Sequence, residues 1–82
     1  MDGVSSNPDY YAQAREIASA LSESGHPEWS NQIEEAIAGG STATEILMRI
    51  RFVLREASDA GVTDEISDVV VRLISELDAV LA

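Results

Sequence analysis

Two large apolar residues and two arginines lie close together in the middle of this 82-residue chain. Met48 and Phe52 are four residues apart, as are Arg51 and Arg55, so on a helix each pair shares a face. Methionine, phenylalanine and arginine are enriched at protein interfaces. The arginines repel each other mildly unless an acid from elsewhere bridges them. The pattern predicts a contact site for another protein; the alternative is a central helix that packs on both sides and buries Met48 and Phe52.

Acidic residues form a second candidate site. Fifteen acids against five arginines give a formal net charge of −10. This charge disfavours direct contact with nucleic acid or anionic membranes and favours association with a basic protein surface. The alternative is a solvated face that serves solubility alone. The acids that we assign to a partner surface are Glu16, Glu23, Glu28, Glu34 and Glu35.

Other patterns give little support for catalysis or cofactor binding. Gly39-Gly40-Ser41-Thr42 precedes a predicted helix, but it lacks the lysine and the spacing of a phosphate loop, so helix capping explains it better. The chain has a single histidine, His26, and no cysteine, so it lacks the usual ligands of a metal site. A catalytic carboxylate pair needs a cleft and a raised pKa, which a chain of this size is not expected to build. We therefore expect no enzymatic activity, no cofactor and no metal.

The elements that would position these residues are helices. Apolar residues recur every three to four positions, which predicts an all-α fold: a small four-helix bundle-like domain with short loops. Residues 1–7 are expected to form a flexible N-terminal tail, and residues 8–82 a single helical domain. Helix 1 is predicted from Pro8, with Asn7 as its N-cap, to about Ser24.

The boundary between the second and third helices carries the strongest local signals. Helix 2 is predicted to begin at Pro27, and Gly39 and Gly40 are expected to end it by adopting positive φ. Thr42 and Glu45 have the spacing of a capping box at the start of helix 3.

The last two helices are expected to provide most of the core. Helix 3 is predicted to end near Ser58, and Thr63 is predicted to cap helix 4, with acids in its first turn. Helix 4 has the widest apolar side and is predicted to be the main core helix. Its apolar positions are Ile66, Val69, Val70, Leu73, Ile74, Leu77, Val80 and Leu81.

In length, acidity and predicted helicity the chain resembles two groups of small helical proteins. Acyl carrier proteins bear phosphopantetheine on the serine of an Asp-Ser-Leu motif; the nearest candidate here, Gly40-Ser41-Thr42, lacks both flanking residues. The chain also resembles, in composition but in no motif, the small acidic helical immunity proteins of bacterial toxin systems. That resemblance implies an acidic helical face that blocks a basic, often nucleic-acid-degrading, toxin domain.

The leading hypothesis is a non-enzymatic, protein-binding inhibitor of the immunity or antitoxin type, with a basic toxin domain as its partner. The alternative is a structural or regulatory helical module that self-associates, as a homodimer, through Met48, Phe52 and the apolar side of helix 4. An acyl carrier-like protein is a third hypothesis. Because the sequence shows no secretory signal pattern and no apolar run of membrane-spanning length, we expect a cytoplasmic location.

Overall fold

The computed structural model describes residues 9–82, and α-helices make up most of this part of the chain. Their bounds are α1 (Tyr10–Glu23), α2 (Pro27–Gly39), α3 (Ala43–Asp59) and α4 (Ser67–Leu81), with a short 3-10 turn, Asp64–Ile66, before α4. Helices α1 and α2 contact each other, α3 contacts both α2 and α4, and α4 also contacts α1. The predicted all-α, bundle-like fold is confirmed.

Helix α1 begins at a different residue from the one predicted. Asp9, which the sequence places inside the helix, is its N-cap: its Oδ1 accepts a hydrogen bond from the backbone N–H of Ala12 at 3.0 Å. This bond satisfies one of the free amides of the first turn. The proposed cap Asn7, the proposed first residue Pro8 and the predicted tail lie outside the described residues.

Two glycines at positive φ end α1 and α3 in the same way. Gly25 has φ 90° and Gly61 has φ 78°, conformations that a residue without a Cβ adopts without strain. After α1, the His26 N–H donates to the Leu21 carbonyl at 2.8 Å; after α3, the Val62 N–H donates to the Ala57 carbonyl at 3.3 Å. Both helices therefore end in a Schellman motif.

The end of α2 contradicts the prediction that Gly39 and Gly40 adopt positive φ. Gly40 has φ −85°, and Gly25 and Gly61 are the positive-φ glycines within residues 9–82. A Cβ on Gly40 would overlap the Ile46 side chain and lie 3.2 Å from the Cα and backbone N of Ile46. Position 40 therefore requires glycine because the backbone there lies close to Ile46 of α3. It does not require glycine for a positive φ.

The capping box at the start of α3 is confirmed, with one difference. The Glu45 N–H donates to Thr42 Oγ1 at 3.1 Å, as the spacing predicts. The Glu45 carboxylate accepts from the N–H of Ser41 at 3.1 Å, one residue earlier than in the usual box. The pKa of Glu45 lies below its ordinary value, mainly because of the hydrogen bond from Ser41 and in addition because of the positive charge of Arg49.

Thr63 does not cap α4, so that prediction is wrong. The residue is buried, and its side chain makes no capping hydrogen bond. Its carbonyl instead accepts from the Ile66 N–H at 2.9 Å, which closes the 3-10 turn. Val62 and Ile66 pack against the core on either side of Thr63. This packing and the backbone bonding of the turn together move the start of α4 to Ser67.

The core lies between the four helices, and each helix contributes to it. Its largest fully buried side chains are Ile17, Leu21, Ile33, Ile50, Leu54, Val70, Leu73 and Leu77. The apolar side of α4 is narrower than predicted, because Val69 and Val80 are exposed. In a bundle of this size the neighbouring helices cover only part of each helix's circumference, and residues at the edges of an apolar stripe stay in contact with solvent.

Candidate functional site

The site begins with the two apolar residues of α3 that the core does not use. Met48 is 49% exposed and Phe52 is 64% exposed. The interpretation in which α3 packs on both sides and buries them is therefore wrong. Single exposed apolar residues are ordinary on protein surfaces, but these two are adjacent on one turn of the helix. We call them the Met48–Phe52 ridge.

Helix geometry explains why the ridge stays uncovered. At about 100° per residue, Met48 and Phe52 lie roughly 40° apart, on the side of α3 away from Ile50, which is fully buried. Helices α2 and α4 both contact α3, α2 on the side of Met48 and Phe52 that faces Arg49 and α4 on the side of Arg51 and Arg55. Together they cover its core-facing side, and the ridge projects between them.

A groove lies on the α2 flank of the ridge, with a cavity volume of about 420 Å³. We call it the acidic groove; its lining residues are Gln32, Glu35, Ala36, Glu45, Met48, Arg49, Phe52 and Val53. It contains two carboxylates and one guanidinium. Arg49 Nη2 lies 3.6 Å from Glu45 Oε2, whereas Glu35 is exposed and forms no ion pair with residues 9–82. The negative charge of Glu35 is thus directed at solvent beside the ridge.

A second hollow, of about 440 Å³, lies on the α4 flank of the ridge and is lined by the ridge itself with Arg51 and Arg55. Arg51 Nη1 donates to Asp78 Oδ1 at 3.0 Å. Arg55 Nη2 donates to both oxygens of the same carboxylate, at 2.9 and 2.8 Å. The expected bridging acid is therefore Asp78 of α4. We call these three residues the arginine edge, which has two guanidiniums and one carboxylate.

The hydrogen bonds of the arginine edge change the titration of its carboxyl group. Partial desolvation raises the pKa of Asp78, but the hydrogen bonds and charges of Arg55 and Arg51 outweigh it, so the pKa lies below its ordinary value of 3.8. At neutral pH the edge therefore holds two positive charges and one negative charge. Both arginines are kept in place beside the ridge, which lowers the entropy lost when they contact a further group.

The structure brings together five of the nine residues that the sequence assigns to a partner surface. Glu35, Met48, Arg51, Phe52 and Arg55 line the two flanks of the ridge. The other four, all exposed, line neither hollow: Glu16, Glu23, Glu28 and Glu34.

Two of these four acids have neighbours elsewhere. Glu34 Oε1 lies 3.8 Å from the Nε of Arg15, which joins α2 to α1. Glu16 borders a small hollow beside Ile66 and Val69, on the α1 and α4 side of the bundle. These acids contribute to the general negative field and not to the surface of the ridge.

Sequence reasoning did not assign Glu45 and Arg49 of the acidic groove to this site. It also missed Asp78. Asp78 is 27 residues from Arg51 and 23 from Arg55, so no helical spacing relates them. The signal present was an arginine pair that needed an acid; the identity of that acid depends on how α3 and α4 pack.

Within residues 9–82, no group of three or more His, Cys, Asp or Glu side chains is arranged to hold a metal ion. The same part of the chain contains no helix with both the length and the apolar character needed to cross a bilayer. No family model, curated protein or solved structure matches the chain.

Proposed function

We propose that this protein is a non-enzymatic binding domain of the immunity or antitoxin type, which inhibits a basic toxin domain by docking on it through the Met48–Phe52 ridge. The observation that carries the proposal is the exposure of two adjacent, large apolar side chains between two hollows. Aromatic and methionine side chains at the centre of an interface provide most of the binding energy in many complexes.

The net charge of the molecule and the acidic groove on one flank of the ridge support a basic partner. Glu35 borders the ridge directly, and the exposed acids of α1 and α2 extend the negative field over the rest of the surface. The formal net charge of −10 accelerates encounter with a positively charged protein and suppresses contact with acidic ones. The ridge then determines how long the complex lasts, since the loss of buried apolar contacts acts mainly on dissociation.

The test begins with paired captures from the native host, one with the wild-type chain and one with Phe52→Ala. A protein retained by the wild type and lost with the variant is then purified, and its association and dissociation rates are measured at low and high salt. We expect a basic domain whose association rate falls with salt, and whose dissociation rate rises at least tenfold for Phe52→Ala.

Val71→Ala is the matched control, because Val71 is also an exposed apolar residue, 58% exposed, but lies on α4. It should bind as the wild type does. Inhibition is then tested by co-expression: the wild type and Val71→Ala should protect cells from the captured domain, and Phe52→Ala should not. Equal capture by all three chains, or an association rate independent of salt, would exclude this function for the ridge.

A further inference from the structure

The two flanks of the Met48–Phe52 ridge carry opposite charge, although the molecule as a whole is strongly acidic. The acidic groove has two carboxylates and one guanidinium, and the arginine edge has two guanidiniums and one carboxylate. The groove lies towards α2 and the edge towards α4. A surface with an apolar centre, one negative flank and one positive flank is complementary to a copy of itself in one orientation.

Symmetry determines that orientation. In a two-fold pair, an axis parallel to α3 places each flank opposite the other flank of the second copy, so the arginine edge meets the acidic groove twice. An axis perpendicular to α3 and in the plane of contact places each flank opposite itself, so like charges meet. The two flanks favour the first arrangement and oppose the second.

We propose that the free protein forms a weak two-fold homodimer in which the α3 helices lie parallel, the two ridges pack together, and Arg55 of each copy faces Glu35 of the other. The occupant of the ridge is thus a second copy of this chain. Arg55 suits this contact because it is exposed and already held by Asp78, with guanidinium N–H groups left to donate to another carboxylate.

The dimer is weak for two reasons. The apolar centre consists of two side chains per copy, which is typical of small, transient interfaces. Each copy also has a formal net charge of −10, so the copies repel at long range until salt shortens the screening length to about 8 Å near physiological ionic strength. Raising the salt from a low concentration therefore strengthens the pairing, whereas it slows encounter with a basic partner.

Pairing and partner binding use the same ridge, so the two states exclude each other. Self-pairing lowers the apparent affinity for a partner by the fraction of chains whose ridge is covered. This inference needs only the purified chain for its test, so it can fail while the proposed function holds, and the reverse is also true.

The test is a charge-swap experiment followed by sedimentation velocity over a range of concentrations at physiological salt. Arg55→Glu replaces two attractive contacts per dimer by two repulsive ones, and Glu35→Arg does the same from the other side. Each variant alone should raise the dimer Kd by about tenfold. An equimolar mixture of the two should restore pairing as a heterodimer, because in the mixed pair the two substituted side chains have opposite charges and face each other, and the second contact keeps its native charges.

Two controls separate pairing from folding. Arg15→Glu makes the same charge change at an arginine beside Glu34, outside both hollows, and should leave the dimer Kd within about twofold of the wild type. Circular dichroism should show helical spectra for all chains, and recovery in the mixture requires that both variants are folded. A wild type that stays monomeric up to millimolar concentration, a variant that pairs as well as the wild type, or a mixture that does not pair would each overturn the proposal.

Discussion

Helix α3 has two apolar faces, and they differ in what covers them. Ile50 and Leu54 are fully buried against the other helices, while Met48 and Phe52, of similar size, project between α2 and α4. The first face stabilises the fold because its apolar surface leaves water on folding. The face of Met48 and Phe52 stays in water in the free monomer. It contributes a favourable free energy of burial only when another surface covers it. Apolar character alone therefore does not distinguish a core position from a contact position.

The largest expected effect comes from the buried face. Leu54→Ala removes buried methyl groups and leaves a cavity, so we expect the free energy of unfolding to fall by about 2 to 5 kcal/mol, measured by urea denaturation. In a chain of this size such a loss approaches the whole stability. A loss below about 0.5 kcal/mol, the range of surface substitutions, would contradict the tight packing of this face.

The next largest effect tests the close approach that holds α2 against α3. Gly40→Ala introduces a Cβ that overlaps Ile46, and we expect a loss of about 1 to 3 kcal/mol in the free energy of unfolding. Gly39→Ala is the control: its Cβ would meet only the Nη1 of Arg49, at 3.5 Å, an ordinary contact. That change should be neutral or stabilise by up to about 1 kcal/mol, because Gly39 is helical. Equal losses for both would show that the approach at Gly40 is not close.

A smaller effect on stability is expected from the exposed face. Met48→Ala and Phe52→Ala should each change the free energy of unfolding by no more than about 0.5 kcal/mol, since both side chains remain largely in solvent. The same substitutions should raise the dimer Kd in sedimentation experiments. The comparison between the two faces fails if either substitution destabilises the monomer as strongly as Leu54→Ala does.

The smallest expected effect is the pH dependence of the arginine edge. Because the folded-state pKa of Asp78 lies below 3.8, its ion pairs stabilise the fold above that pH, and this contribution is lost as the pH falls through the lowered pKa. Asp78→Asn should therefore lower the melting temperature slightly at pH 7 and less at pH 3. Glu16→Gln, an acid-to-amide change at an exposed position of α1, is the control. A difference between wild type and Asp78→Asn that grows on acidification would exclude this role.

The helix ends show how far local sequence determines local structure. Thr42 and Glu45 predict the start of α3 because the hydrogen bonds of a capping box join residues within one turn. Thr63 has the right residue type for a cap, but it lies between Val62 and Ile66, which pack against the core. Contacts from outside the segment therefore decide the geometry there, and the helix starts at Ser67.

The candidate site also has one part that the sequence predicts and another part that depends on how the helices pack. The spacing of Met48, Arg51, Phe52 and Arg55 places them on one side of a helix, and their residue types predict a contact surface. The sequence assigned Glu35 to a second, acidic candidate site, and the other four acids of that site lie away from the ridge. Which acids border the ridge depends on the packing of α2 against α3, and that packing is not encoded in any spacing within one helix.

By itself the sequence determined the four helices, the capping box at the start of α3 and the strongly negative charge. Helical periodicity and capping act over three or four residues, and the charge follows from composition alone. The tertiary structure alone decided that Met48 and Phe52 stay uncovered, that Gly40 is needed for contact with Ile46, and that Asp78 bridges Arg51 and Arg55. These features depend on distances between residues on different helices, and those distances exist only after the helices have packed.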